Sequence, residues 1–412
     1  MNRPMFRSAM AVLTAAGAAA LLDVPPAAAQ ESRTAREGRA LVRTITGSVP
    51  GGVRDVRVET GIGSVVAERG ASPEVRYRIR VRATVEDEAG AQRLLDELAL
   101  SATRNGDLLV FKGEAERAGA PGRGLSAEFF LVLPAATRSL EVVTGAGDIE
   151  IRGVPGRLTL SSRGGRIAAD RAAGPIRAET RGGNIEIGAA LADARLTTGG
   201  GRIRLGEAGG EVVVQTSGGD VSIGRSAGPV RAESGGGSVS VGAAGGDVFV
   251  QTGGGDILLG PVAGQVTAAS GGGGIRVHGA TGGVRCETAA GPIVLRSIGG
   301  PIRAVTSSGD IRAEFLPAAR LLLDSDLQTW SGDVTVALPG ILPLTLRAVA
   351  ENSTGRRIVS DFPLRFFREA EDAGRPVETA EGEIAGGGSV VRVRTLDGRI
   401  VIVRTLPDGA AR

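Results

Sequence analysis

The residues in this chain that could most plausibly bind a metal ion are aspartates that recur between glycine and a β-branched residue. Asp148, Asp220, Asp256 and Asp310 each follow a Gly and directly precede an Ile or Val. In the calcium-binding nonapeptide repeat G-G-x-G-x-D-x-U-x, the Asp stands two residues before the apolar position rather than one. Aspartate is also a common turn residue. The spacing therefore favours a structural turn, and we predict no metal site and no cofactor.

A second pattern that could do chemistry is R-x-E, which begins at Arg177, Arg231 and Arg285 and so recurs every 54 residues. Glycoside hydrolysis needs two carboxyl groups at a defined separation, and no isolated acidic pair stands out. Solvated ion pairs across a sheet face explain the pattern more simply. We therefore predict no catalytic residues and no enzymatic activity, with a carbohydrate-active β-helix enzyme as an alternative.

The same arginines could form a contact surface. Arg177, Arg231 and Arg285 share one position of the repeat described below, so they should line one face and could meet an anionic glycan or a lipid phosphate. Phe249 shares that position and is expected to be exposed, while Trp330 falls in a turn near the C-terminal end. Exposed aromatic rings can contact sugars or proteins. These five residues are the candidate contact surface.

The single histidine and the single cysteine do not suggest a site. His278 precedes Gly279 and has no partner residues nearby in sequence, so we interpret it as a turn residue rather than a base or ligand. Cys286 stands where other lines of the repeat have Ala or Val, which predicts a small core residue and no disulfide.

These residues are positioned by a repeat that runs from Leu140 to Ala319 in ten consecutive lines of 18 residues. The eighth position is always Gly, the tenth is Ile or Val, and the fifth is Thr or Ser. Apolar residues alternate at positions one and three and again at ten and twelve, as in strands with one buried face. Two strands that cannot bury a face alone predict an all-β, parallel β-solenoid with 18-residue, two-strand turns. The Thr/Ser hydroxyls should form a ladder that bonds neighbouring turns.

Composition and the N-terminal segment indicate export. The net charge is +3, Lys112 is the only lysine, and no basic block suggests nucleic-acid binding. Arg3 and Arg7 precede an apolar stretch that is too short to span a bilayer comfortably, and three alanines before Gln30 offer a cleavage site. We predict a periplasmic or extracellular, cell-surface protein that does not span the membrane after cleavage.

The pattern divides the chain into four segments. Residues 1–29 are a signal peptide, and residues 30–139 are a β-rich N-terminal cap with one solenoid-like turn and a short helix. The repeat array covers residues 140–338, and residues 339–412 hold C-terminal solenoid turns and a cap. Within these segments, residues 30–52 are expected to be a loose lead-in and residues 368–383 a charged loop.

The recurring lines TGAGDIEI from Thr144, TGGGDILL from Thr252 and TSSGDIRA from Thr306 resemble a known group. So does the ending STGRRIVSDFPL followed by GGGSVVRVRTLDGRIVIVR. The chain resembles the bacterial putative-adhesin family, exported β-strand-repeat proteins that carry a domain of unknown function. The resemblance covers most of the mature chain and implies an exported β-solenoid without known catalytic residues.

Together these observations predict a non-enzymatic adhesin or cell-envelope interaction module. Its partner would be a cell-envelope glycan or protein. A periplasmic scaffold or sensor-partner protein that acts through its caps is a further alternative, and the oligomeric state stays open.

Overall fold

The computed structural model describes residues 30–84, 87–115, 124–321, 323–352, 355–370 and 376–405. The expected signal peptide, residues 1–29, lies outside them. Within the described part, 36 strands and one short helix form, and the strands divide equally between two sheets. The all-β class and the long parallel sheets expected from the repeat are confirmed.

The N-terminal segment contributes eight strands and the helix. Their bounds are β1 Gln30–Glu37, β2 Ala40–Val49, β3 Asp55–Thr60, β4 Ser64–Arg69, β5 Val75–Thr84, α1 Glu88–Asp96, β6 Leu98–Asn105, β7 Leu108–Ala115 and β8 Leu125–Leu133.

The central array contributes twenty short strands. Their bounds are β9 Ser139–Thr144, β10 Ile149–Arg152, β11 Arg157–Ser162, β12 Ile167–Ala172, β13 Ile176–Thr180, β14 Ile185–Ala190, β15 Ala194–Thr198, β16 Ile203–Ala208, β17 Val212–Thr216, β18 Val221–Ser226, β19 Val230–Ser234, β20 Val239–Ala244, β21 Val248–Thr252, β22 Ile257–Val262, β23 Val266–Ser270, β24 Ile275–Ala280, β25 Val284–Ala290, β26 Ile293–Ile298, β27 Ile302–Ser308 and β28 Ile311–Phe315.

The C-terminal segment contributes the remaining strands. Their bounds are β29 Ser325–Ser331, β30 Val334–Pro339, β31 Leu344–Ala350, β32 Ile358–Ser360, β33 Arg365–Ala370, β34 Pro376–Ile384, β35 Val390–Asp397 and β36 Ile400–Thr405.

In the array, odd-numbered strands pair with one another in one sheet and even-numbered strands in the other. We call the even-numbered sheet, which also includes β1 and β5, sheet A, and the opposite sheet, sheet B. Parallel partners lie 18 residues apart, as Ile185 with Ile203 in sheet A and Val212 with Val230 in sheet B. With the turns at both ends, fifteen two-strand turns stack among the described residues, a length of about 70 Å at the usual strand spacing.

Alternation decides which side chains enter the core. In β17, Val212, Val214 and Thr216 are buried, whereas the two residues between them are not. The same inward columns of both sheets form one continuous apolar core of mostly Ile, Val, Leu and Ala. The core is thin because the aliphatic side chains of two facing sheets fill it, so few aromatic rings are needed.

The Thr/Ser column is a ladder between turns, as predicted from the sequence. The hydroxyl of Thr216 donates to the carbonyl oxygen of Gly201 in the preceding turn at 3.0 Å and accepts from the N–H of Gly219 in its own turn at 3.2 Å. Thr198 and Ser234 make the same two bonds one turn away on either side. Glycine is required beside this ladder because a Cβ at Gly219 would lie 2.0 Å from the Gly201 oxygen.

The N-terminal end is closed by antiparallel strands and the helix. The turn β7–β8 stacks outside the turn β3–β4, and β5, β2 and β1 continue sheet A in antiparallel order. Helix α1 begins after its N-cap Asp87 and packs Ala91 and Leu95 into the open end of the core. It has nine residues, and no helix in the described part of the chain could span a bilayer.

The loose lead-in expected over residues 30–52 is wrong. Strands β1 and β2 form a hairpin at Gly38, whose φ of 62° suits a tight turn. Seven of the eight β1 residues are exposed, so no hydrophobic alternation marks this strand in the sequence. Its backbone pairing to β2 holds it in place, together with exposed ion pairs from Arg36 to Glu88 and from Glu37 to Arg80.

At the C-terminal end, the last turn of the chain is inserted between two earlier turns. Strand β35 pairs with β29 on one side and β31 on the other, and β36 lies likewise between β30 and β32. Strands β34 and β33 then extend sheet B in antiparallel order. The charged loop expected over residues 368–383 is therefore wrong, because the described parts of that stretch belong to these two strands.

A buried carboxylate links the two sheets at this end. Glu378 of β34 is 4% exposed and accepts from the N–H groups of Arg357 at 2.6 Å and of Ile358 at 3.1 Å. These donors lie at the start of β32, the last strand of sheet A. Glu378 thus satisfies backbone groups that no further strand covers.

Candidate interaction surfaces

The aspartates considered for calcium binding are part of the fold. The Oδ1 atom of Asp148 accepts from the N–H of Arg166 at 2.7 Å, and that of Asp220 accepts from the N–H of Ser238 at 3.0 Å. Asp256 and Asp310 make equivalent bonds to the next turn, and so does Asn184 in the same column. No group of three or more potential ligands that could hold a metal ion occurs among the described residues. The aspartate column therefore joins turns.

The predicted arginine row lies on the outer face of sheet B. Arg177 pairs laterally with Arg195, Arg231 with Phe249, and Arg285 with Arg303. Arg177, Arg231 and Arg285 are separated by three turns each, about 14 Å along the axis. The structure places these side chains in one line but does not bring them together at a single point.

Each of these arginines is paired with the glutamate two residues along its strand. The guanidinium–carboxylate distance is 3.6 Å for Arg177–Glu179 and 2.7 Å for Arg285–Glu287, and Arg231 bonds Glu233. The side chains are more than half exposed on the arginine side, so each pair contributes little to stability. The face therefore presents alternating positive and negative groups.

Phe249 is half-buried rather than exposed. The guanidinium carbon of Arg231 lies 4.4 Å from the centre of its ring, a cation–π contact between neighbouring turns. The expectation that Phe249 stands freely on the surface is therefore wrong, because the side chain of the adjacent turn covers it. Arg231 and Phe249 form one composite surface element.

Trp330 lies in strand β29 and not in a turn as expected. It is 45% exposed and lines a small cavity of about 170 Å³ together with Gln328, Glu351, Arg394 and Leu396. Three neighbouring turns build this cavity, including the inserted turn β35–β36. Trp330 is separate from the arginine row. Its strand lies two turns beyond that of Arg285 along the axis, and Trp330 stands four residues after the column that Arg285 occupies.

The outer face of sheet A carries a hollow that sequence reasoning missed. Its volume is about 440 Å³, and its floor includes Ala168, Gly188 and Gly206. Charged residues of four consecutive turns surround it: Glu150, Arg152, Arg166, Asp170, Glu186 and Arg204. The signal that could have found it is the coincidence of small outward residues in successive turns with charged residues around them.

The three carboxylates of this hollow are bonded to donors. Glu150 accepts from Arg152 at 2.7 Å, which raises the pKa of that guanidinium, and Glu186 accepts from Arg166. Asp170 accepts from the N–H of Gly153 at 2.8 Å. These bonds tie each carboxylate to a guanidinium or a backbone donor of its own or a neighbouring turn.

The remaining reactive residue types do not form a site. Cys286 is completely buried in β25, as expected of a core residue, and burial raises the pKa of its thiol far above the usual range. His278 is exposed within β24, so the interpretation as a turn residue is wrong. The glycine that follows it, Gly279, suggested a turn in the sequence but lies within the same strand.

Residues 202–402 match the sequence profile of the Toastrack DUF4097 family. Three crystal structures are similar to this chain: a putative adhesin from Bacteroides fragilis, a putative cell adhesion protein from Clostridium sporogenes and a putative lipid binding protein from Parabacteroides distasonis. The first is 10% identical, with a TM-score of 0.32, and the alignment covers 63% of this chain and 98% of that one. The second is 8% identical, with a TM-score of 0.18 and coverages of 92% and 100%. The third is 15% identical, with a TM-score of 0.22 and coverages of 69% and 96%. No curated protein matches the chain.

Proposed function

Because residues 202–402 match the Toastrack DUF4097 family, we propose that the protein is an exported, non-enzymatic adhesin-like module. It binds a component of the cell envelope, a surface glycan in the first instance. The binding surface is the outer face of sheet B, with Trp330 at its C-terminal end.

The observation that carries this proposal is that the repeated polar side chains bond neighbouring turns to each other, whereas the outward side chains of sheet B do not repeat. The Thr/Ser hydroxyls of nearly every turn and the aspartate carboxylates of four of the ten repeat lines are bonded between turns, as Thr216 and Asp220 are. The outward residues of sheet B instead change from turn to turn. A long, regular body whose repeated polar groups serve its own stability leaves its outer faces for recognition.

The chemistry of sheet B suits a polyhydroxylated ligand. Its paired arginines and glutamates offer both donors and acceptors, as ring hydroxyls require. Trp330 adds an exposed indole on which the apolar face of a sugar ring could stack, next to Arg394 and Glu351, whose charged groups lie 3.8 Å apart. This combination supports a glycan more than a purely apolar partner.

The test is binding of residues 30–412 to a glycan panel and to cell-envelope fractions by biolayer interferometry. Two variants probe the proposed face, Trp330→Ala and the double variant Arg231→Gln/Phe249→Ala. Arg312→Gln, an exposed residue of the opposite sheet, is the matched control. We expect saturable binding that each sheet B variant weakens about tenfold, the loss of one or two good contacts, and that the control leaves unchanged.

Two results would contradict the proposal. One is the absence of binding to every glycan and envelope fraction. The other is binding that both sheet B variants retain at full strength. Circular dichroism and thermal unfolding of each variant show whether a loss of binding reflects a loss of fold.

A second candidate function, a scaffold or sensor partner acting through its C-terminal cap, is favoured by one observation. The large apolar side chains Leu323, Ile341 and Phe367 are 69%, 71% and 49% exposed in the last turns. Exposed apolar groups of this size suit a protein partner. Ile341→Ser and Phe367→Ser should then abolish capture of an envelope protein while glycan binding persists. Capture at wild-type level by both variants would refute this role.

A further inference from the structure

The hollow on the outer face of sheet A has the dimensions and the functional groups of a ligand site. Its volume of about 440 Å³ falls within the usual range of small-molecule sites. It exists because Ala168, Gly188 and Gly206 leave its floor almost without side chains. The charged residues of the surrounding turns rise above that floor.

The rim of the hollow offers donors and acceptors side by side. Arg152 and Arg166 are donors, and Glu150, Asp170 and Glu186 are acceptors. A hydroxyl group donates and accepts at once, so a ligand rich in hydroxyl groups can satisfy both kinds of group. A purely anionic ligand would meet three carboxylates, and a purely cationic one would meet three guanidinium groups.

Arg204 adds a charge that the fold does not use. It stands next to Glu186 across the strand pair, but Glu186 is bonded to Arg166 from the other side. Arg204 has no hydrogen-bond or ion-pair partner within the described residues, and it is exposed. A guanidinium at the edge of a polar hollow is a ready partner for a carboxylate or phosphate group.

The hollow opens into a lane without side chains that runs along the axis. Gly188, Gly206, Gly224, Gly242 and Gly260 occupy the same outward column in five successive turns, a span of about 19 Å. A Cβ at Gly206 would lie 2.2 Å from the carbonyl oxygen of Gly188, so the close stacking of the turns keeps this column smooth. The turn spacing is comparable to the length of one sugar ring.

We propose that this hollow and lane bind an acidic oligosaccharide, a chain of uronic-acid units. Ring hydroxyls bond the charged rim around Ala168, one carboxylate pairs with Arg204, and the following units extend along the glycine lane. This goes beyond the proposed function, because it assigns a ligand class to the opposite face of the protein.

The test measures affinity by isothermal titration calorimetry for tetramers of galacturonate, glucuronate and mannuronate and for their methyl esters. Ala168→Leu fills the hollow, and the fold tolerates leucine in that column because Leu258 occupies it five turns further on. Arg204→Gln removes the free guanidinium. Arg312→Gln is the matched control, since Arg312 stands in the same column of sheet A six turns away.

We expect at least one uronate tetramer to bind the parent chain. Ala168→Leu, which fills the hollow, and Arg204→Gln, which removes a charged contact, should each weaken this binding about tenfold or more. Arg312→Gln should bind the uronate tetramer like the parent chain. The parent chain should bind the methyl ester of the tetramer as weakly as Arg204→Gln binds the free uronate. The proposal would be overturned if no uronate tetramer bound, or if both hollow variants bound the tetramer as tightly as the parent chain does. Binding of inorganic phosphate with the same dependence on Arg204 would also overturn it, because it would indicate a simple anion site.

Failure of this proposal can be told apart from failure of the proposed function. Ala168→Leu and Arg204→Gln leave the outer face of sheet B intact, and Trp330→Ala leaves the hollow intact. A hollow variant that loses uronate binding but keeps envelope binding assigns uronate binding to sheet A. A Trp330→Ala chain that loses envelope binding but keeps uronate binding assigns envelope binding to sheet B.

Discussion

Removing the hydroxyl of Thr216 should weaken the ladder between turns at the middle of the array. This side chain is 3% exposed, and its hydroxyl makes two bonds, of 3.0 Å to Gly201 and 3.2 Å to Gly219. Valine has nearly the same shape but would leave the Gly219 N–H without its partner. At about 1 kcal/mol for each buried hydrogen bond, Thr216→Val should lower the local free energy of opening by about 2 kcal/mol.

The control is Thr216→Ser, which keeps both bonds and loses only a methyl group worth about 0.8 kcal/mol. Serine already fills this column at Ser234, where it makes the same two bonds. The assay is hydrogen exchange of the Gly219 amide, because each turn of a solenoid depends mainly on its neighbours. Protection should fall about thirtyfold in Thr216→Val and several-fold less in Thr216→Ser. Equal protection in the two variants would refute the ladder as a source of stability.

Three further predictions concern the ends and the turns. Glu378→Ala should lower the free energy of unfolding in urea by about 2 kcal/mol, since it strands two backbone donors of the last sheet A strand. Glu378→Gln should lose less, and equal losses would contradict this role. The N–H of Val390, with Arg392, holds the pKa of Asp324 below its usual 3.8. The ionised Asp324 carboxylate therefore stabilises the folded chain above pH 3.8. This stabilisation is lost as the pH falls through the lower pKa that the carboxyl group has in the folded chain. The melting temperature of Asp324→Asn should consequently fall less than that of the parent below about pH 4, and identical slopes would argue against it. Asp220→Asn should melt like the parent with or without EDTA, whereas Asp220→Ala should lose about 1 kcal/mol; a drop in melting temperature of the parent on chelation would instead indicate calcium.

The array could be predicted from sequence because its rules are local. The fifth, eighth and tenth positions of each line specify an inward hydroxyl, a close backbone approach and a buried aliphatic residue. Each of these requirements is met within a turn or between adjacent turns. The short helix could be predicted for the same reason, from apolar residues at helical spacing between Asp87 and Leu98, although the structure buries Ala91 and Leu95 and places Leu98 in β6.

The ends could not be predicted, because their contacts are distant in sequence. The insertion of β35 between β29 and β31 depends on partners such as Asp324, whose carboxylate accepts from the N–H of Val390 at 2.9 Å. Every turn of the repeat offers similar edges, so the template alone does not choose a neighbour. Strand β1 was missed because its exposed residues carry no alternation.

The candidate surfaces show the same limit. The repeat register predicts that the arginines form a row on sheet B. It does not predict that Arg231 covers the ring of Phe249, because that contact depends on the side-chain rotamers of two neighbouring turns. The hollow forms because three consecutive turns have alanine or glycine, at Ala168, Gly188 and Gly206, where a larger outward side chain would fill it. A search for reactive residues does not detect such an absence. Searching outward columns for runs of small residues beside charges would have found it.

The most direct test of the account is one in which binding and chemical change are measured in the same wells. Purified chain, residues 30–412, is incubated with cell-envelope glycans, and bound ligand and newly formed reducing ends are both quantified. We expect saturable binding with the glycan recovered unaltered. Release of reducing ends would contradict it and would make the carboxylates around the sheet A hollow the first residues to substitute.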